Sequence, residues 1–149
     1  MPSDPIFNLA KAKAVEELRA CLKLLFQSQL KLACIAERAS SSQVMPSDLR
    51  HTLTDLAYDA MYAEPYDDLN WSHILTARSS LDTAAKRETQ SIYFYDEGHA
   101  RGGYWENHQS DLGQTLSEVV NFIDVALGHR MELTVVSRVN HVKLFIENS

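Results

Sequence analysis

The sequence has little cysteine, glycine and proline, and it has fewer basic than acidic residues. Two cysteines, five glycines and four prolines occur among 149 residues, of which 45% are hydrophobic and 23% charged. This composition excludes a collagen-like, low-complexity or wholly disordered chain, and the length suits a single domain over 1–149. The formal net charge of −6 argues against general nucleic-acid binding, because that affinity comes largely from Lys and Arg on phosphates.

Secretory and membrane-spanning signals are also lacking. Residues 1–5 show no basic segment leading into an apolar one, and the most apolar region, 14–36, is interrupted by five charged residues. Cys21 and Cys34 lie in that region, about 20 Å apart if it forms one helix, which is too far for a disulfide. We therefore expect a cytoplasmic protein with two reduced thiols and no contact with a membrane.

Catalytic and cofactor motifs are absent as well. The six histidines form no His-x-x-x-His pair, and the glycines form neither a Gly-x-Ser-x-Gly motif nor a phosphate-binding loop. We accordingly expect no metal and no cofactor, and a protein that is not an enzyme. The alternative is a small enzyme or ligand-binding domain, in which a hairpin would bring together Glu97, His99, Arg101 and His108.

Helical periodicity dominates the first ninety residues. Apolar residues at three- and four-residue steps predict a first helix over about 4–39 and a second over about 46–62. A third is predicted from Asp67 or Asp68 to about Gln90. The first helix is apolar around much of its circumference, which indicates a central position; a homo-oligomeric structural protein built on this helix is a further possibility.

Strands are expected in the second half of the chain. The run 91–96 is rich in aromatic and β-branched residues, and 104–106 is expected to return as the second strand of a hairpin. Its aromatic side chains are expected to pack on both faces, and an aromatic patch exposed on one face as a binding surface is the alternative. A helix over 111–128 is predicted to begin at a capping Asp111 and to cover the sheet. Strands at about 131–138 and 142–148 would complete an α+β fold of order ααα-ββ-α-ββ with a small antiparallel sheet.

Acidic residues concentrate on the second helix and the loop after it. Between 48 and 68 there are six acidic residues and one basic residue. On a helix, Asp48, Thr52, Asp55, Asp59 and Tyr62 form one stripe beside the apolar stripe. The residues predicted to contact a partner are Asp48, Asp55, Asp59, Tyr62, Glu64, Tyr66, Asp67 and Asp68.

Tyrosine among carboxylates supplies amphipathic contact area, and an acidic surface steers basic partners toward fast encounter. We therefore expect a small acidic protein-binding module that engages a basic protein. An inhibitor or neutralising partner of the immunity or antitoxin type fits this profile, and an anti-defence inhibitor or an export chaperone fits nearly as well. A solvated helix face that only aids solubility is the competing interpretation of the same charges.

Overall fold

The computed structural model describes residues 5–94 and 102–148. Within these residues the chain forms four helices and two strands. The helices are α1 (Pro5–Ser40), α2 (Ser47–Tyr62), α3 (Asp68–Arg87) and α4 (Asp111–Asn148), and the strands are β1 (Thr89–Phe94) and β2 (Tyr104–Gln109). None of the described helices combines the length and the apolar character needed to cross a bilayer.

The two long helices, α1 and α4, pack against each other along a seam of residues spaced alternately three and four apart. Every seam position on both helices is buried or half-buried, as in a coiled coil. The pair is antiparallel, because the Asn140 side-chain amide near the end of α4 donates to the Ala14 carbonyl near the start of α1, at 3.3 Å. The seam positions are Ala14, Leu18, Cys21, Leu25, Ser28, Leu32, Ile35 and Ala39 on α1, and Leu116, Val119, Ile123, Ala126, Arg130, Leu133, Ser137 and Asn140 on α4.

Two shorter helices complete a four-helix bundle. Contacts join α1 to α2, α2 to α3, α3 to α4 and α4 to α1, so α2 lies diagonally across from α4. The core is formed by side chains from all four helices. Its largest members with less than 2% exposure are Trp71, Leu25, Leu32, Leu53, Leu56, Ile74, Leu81, Leu116, Ile123, Leu133 and Val119.

The unequal helix lengths leave part of α1 and α4 outside the bundle. At 1.5 Å per residue, α1 and α4 are each about 55 Å long, whereas α2 and α3 are about 24 and 30 Å. The end of α2 is level with Gln29, about two-thirds of the way along α1, because the buried Gln29 side-chain amide donates to the Ala63 carbonyl at 2.9 Å. Residues 5–22 and 134–148 therefore form a two-helix arm, whose base at 18–22 and 134–138 contacts the core and the α2–α3 turn.

The strands form a two-stranded antiparallel ribbon between α3 and α4. Its register runs from Thr89 opposite Gln109 to Phe94 opposite Tyr104. Gly102 adopts a φ of +84°, and a Cβ on Gly103 would lie 2.0 Å from the Phe94 carbonyl oxygen, so both positions favour glycine.

The ribbon's aromatic side chains are exposed, which corrects the expectation that they pack on both faces. Tyr93 contacts Trp105 across the strands and Phe94 stacks on Tyr104, with ring centroids 5.2 and 5.6 Å apart. Trp105 nevertheless remains 68% exposed. The reason is that α4 covers α1 and α3 and meets the ribbon only where the latter leaves the bundle.

The last helix differs most from the prediction. The hairpin expected over 131–138 and 142–148 is wrong, because α4 continues to Asn148. Leu133 and Asn140 continue the buried seam beyond Gly128 and hold this segment against α1 as a helix. The predicted cap is also displaced by one residue: the Ser110 hydroxyl, rather than Asp111, accepts from the Gly113 backbone N–H at 3.1 Å.

Candidate functional site

A polar furrow runs between α2 and α3. It consists of two adjoining hollows of about 460 and 710 Å³ that share Thr52 and Ser80. Carboxylates lie on the α2 side, and the α3 side carries hydroxyl groups with His73 in one hollow and Arg87 and Glu88 in the other. The α2 carboxylates are those of Asp48, Asp55 and Asp59, and the α3 hydroxyls are those of Thr76, Ser79, Ser80 and Thr83. We call this region the α2–α3 furrow.

Helix geometry explains the α2 side of the furrow. Leu53, Leu56 and Ala60 are buried against the bundle, which leaves Asp48 and Asp55 exposed on the neighbouring face. Neither of these two carboxylates forms an ion pair with a described residue. Their charge is therefore uncompensated by direct contacts in this part of the chain.

Asp59 is the half-buried carboxylate of the furrow. Its Oδ2 lies 3.5 Å from Nδ1 of His73 on α3. Burial raises the pKa of Asp59 above its ordinary value, and the charge of Asp55 raises it further, while His73 opposes both effects. The furrow thus contains one acid whose proton affinity depends on its neighbours.

Two exposed tyrosines lie beside these carboxylates. Tyr58 and Tyr62, one helical turn apart, have ring centroids 4.8 Å apart with an interplanar angle of 50°. Each is more than 60% exposed. The pair presents an apolar surface with polar tips at the end of the furrow, as is frequent in protein interfaces.

The other predicted partner-binding residues belong to the turn between α2 and α3. Asp67 caps α3, since its Oδ1 accepts from the Leu69 and Asn70 backbone N–H groups at 2.9 and 3.4 Å. The Glu64 carbonyl accepts from the Trp71 indole at 3.1 Å. These contacts hold the turn against the start of α3.

Tyr66 and Asp68 face α4 rather than the furrow. They line a separate hollow of about 420 Å³, which we call the loop pocket, together with Arg130 and Arg138. Asp68 accepts a hydrogen bond from Arg130 Nη2 at 2.5 Å. The eight predicted residues are thus divided among the furrow with its tyrosine pair, the turn, and the loop pocket.

Of the four residues predicted for the alternative hairpin site, His108 is the one that lies within the described residues. His108 on β2 lies 3.0 Å from Glu106 Oε2 and contacts the Phe94 ring. Glu97, His99 and Arg101 lie outside the described residues. Over 5–94 and 102–148, no three His, Cys, Asp or Glu side chains are grouped so that they could hold a metal ion.

Reasoning from the sequence missed the α3 side of the furrow and the α4 side of the loop pocket. Thr76, Ser80 and Thr83 recur at helical spacing opposite the buried face of α3, and this spacing was the available signal. Arg130 lies beyond the end of the helix predicted over 111–128, whereas in the structure it lies within α4.

Comparison with protein-family models, with curated proteins and with solved structures finds no match for this chain. Its function is therefore inferred from the chemistry of these surfaces alone.

Proposed function

We propose that the protein is a non-enzymatic binding module whose α2–α3 furrow engages a basic protein, in the manner of an inhibitor or neutralising partner of the immunity or antitoxin type. The observation that carries the proposal is the row of carboxylates at Asp48, Asp55 and Asp59, facing hydroxyl groups across a groove. Lys and Arg side chains of a partner would meet acceptors on both sides of this groove.

The electrostatics of α2 support binding rather than stability. Asp55 and Asp59 are four residues apart on one helix, where like charges cost a few tenths of a kcal/mol. His73 is the described side chain that lies within ion-pairing distance of Asp59. A cationic partner would relieve this repulsion, and the uncompensated charge would speed the encounter at low salt.

The position of α2 also supports the proposal. α2 packs on α1 and α3, and among the described elements no other packs closely on it. The exposed Tyr58–Tyr62 pair at the end of the furrow supplies the aromatic area that typically anchors an interface surrounded by polar groups.

The test is a charge reversal on the furrow. The chain is used to capture proteins from its native host, and the captured basic protein is then purified for binding kinetics. We expect Asp55→Lys to lower the association rate about tenfold at low salt, because local charge governs steered encounter. Stability should change little, since Asp55 is exposed.

Glu118→Lys is the matched control, because it makes the same change of net charge at an exposed position of α4, diagonally across the bundle from α2. Its association rate should stay within twofold of the wild type. Equal slowing by both variants, or a captured protein whose binding kinetics Asp55→Lys leaves unchanged at low salt, contradicts the assignment of the furrow.

A further inference from the structure

The loop pocket has a charge opposite to that of the furrow. Its lining contains two arginines, Arg130 and Arg138, and one acid, Asp68. The arginines lie eight residues apart on α4, and Ser137 lies on the same face between them. A single hollow thus brings together two guanidinium groups and a hydroxyl.

Arg130 is held in place but is not fully satisfied. Its guanidinium carbon lies 5.2 Å from the centre of the Trp71 ring, and the side chain is 25% exposed. One Nη2 hydrogen bond goes to Asp68, while the buried Nε has no partner among the described residues. A buried guanidinium N–H without an acceptor is unfavourable, and an anion that drew the guanidinium toward the pocket would supply one.

Asp68 is a weak partner for this arginine. Its side chain is 90% exposed, so water solvates the carboxylate and screens the ion pair. Arg138 is exposed and forms no ion pair with a described residue. A ligand with more negative charge than one carboxylate could displace Asp68 and engage both arginines.

We infer that the loop pocket binds a phosphoryl group, either as inorganic phosphate or as a phosphate monoester. Arg130 and Arg138 would hold the phosphoryl oxygens, and the hydroxyls of Ser137 and Tyr66, which also line the pocket, would complete the donor set. Asp68 would act as an internal competitor that limits the affinity. This site is independent of the partner-binding furrow.

The test is calorimetric titration of the full chain with inorganic phosphate at constant ionic strength, and in parallel with glycerol 3-phosphate. We expect saturable binding. Arg138→Gln should weaken it about tenfold, as the loss of a charge-assisted hydrogen-bond pair does. Asp68→Asn should strengthen it several-fold, because the competitor is removed. Tighter binding of glycerol 3-phosphate would identify a monoester as the ligand, and equal binding would identify phosphate itself.

Asp111→Asn is the matched control, since it removes the same charge at an exposed position outside both the pocket lining and the furrow. It should leave the phosphate affinity unchanged. Equal strengthening by Asp111→Asn and Asp68→Asn would show a general charge effect and overturn the site, as would the absence of saturation for both ligands. Arg138 is chosen over Arg130 because an exposed residue can be replaced without disturbing the packing on Trp71. None of these outcomes depends on whether a basic protein binds the furrow.

Discussion

At the scale of single residues, Asp59 is a carboxylate whose protonation depends on its surroundings. Its half-buried position raises its pKa, and the neighbouring Asp55 adds to the effect. A carboxyl group with a raised pKa in the folded state binds its proton more tightly there than in the unfolded chain. Its ionisation therefore opposes folding, and this cost appears as the pH rises through the raised pKa.

We predict that Asp59→Asn removes this dependence. Below about pH 3 the carboxyl is protonated in both the folded and the unfolded state, so the difference in unfolding free energy between wild type and variant there is the baseline. As the pH rises, the wild type should lose stability relative to the variant, and the difference should level off above the raised pKa. Urea unfolding at a series of pH values measures it. Asp48→Asn, at an exposed site, is the comparison, and parallel curves for wild type and Asp59→Asn would contradict the prediction.

At the scale of elements, the first three helices and the hairpin could be predicted from the sequence, because periodicity and strand-forming residues act locally. The final hairpin was wrongly predicted because valines at 135, 136, 139 and 142 suit a strand. Polar Arg130, Ser137 and Asn140 occupy seam positions of α4 and conceal its helical period. Packing against α1 overrides the local preference.

The α2 carboxylate stripe could also be predicted, because helical spacing alone places these residues on one face. The opposite side of the furrow could not, since it depends on how α3 is placed beside α2. The loop pocket was also inaccessible to sequence reasoning, because Asp68 and Arg130 are brought together from positions 62 residues apart.

A substitution at Gly128 tests whether α4 continues through this position as one helix. A Cβ added there meets nothing within 4 Å, so Gly128→Ala should stabilise the protein by about 0.5–1 kcal/mol through better helix propensity. If residue 128 instead ended a helix with a positive φ, the same change would destabilise it. Chemical unfolding measures the difference.

Gly113→Ala provides the contrast within the same helix. A Cβ at this position would lie 2.5 Å from Gln109 Cγ and 2.9 Å from Glu88 Cβ, so crowding should offset the gain in propensity. Equal stabilisation by both substitutions would show that the surroundings of Gly113 do not restrict a Cβ.

At the scale of the whole molecule, a well-packed bundle continues into a thinly packed arm. Among the arm side chains at 5–22 and 134–141, Ala14 and Asn140 are the buried ones, and Val135 and Val139 are about 60% exposed. Local opening requires less free energy where fewer apolar contacts must be broken. Stability should therefore decrease along α1 and α4 away from the bundle.

We predict that backbone amides in 8–20 and 135–147 exchange with solvent faster than those in 25–39 and 116–128, as measured by hydrogen-exchange mass spectrometry. Asn140→Ala should accelerate exchange around Ala14, whose carbonyl it binds, and should leave the bundle unchanged. Uniform protection along α1 would refute the gradient.

The seam between α1 and α4 also constrains which insertions and deletions the two helices can accept. A straight α-helix drifts by about 20° per heptad from a seven-residue repeat, so two helices that keep such a repeat wind around each other in a left-handed supercoil. One inserted residue would rotate everything beyond it by about 100° and expose the seam. Matched insertions or deletions of seven residues in both helices would preserve the phase. The arm is thus a spacer whose length can change through such insertions or deletions in steps of about 10.5 Å.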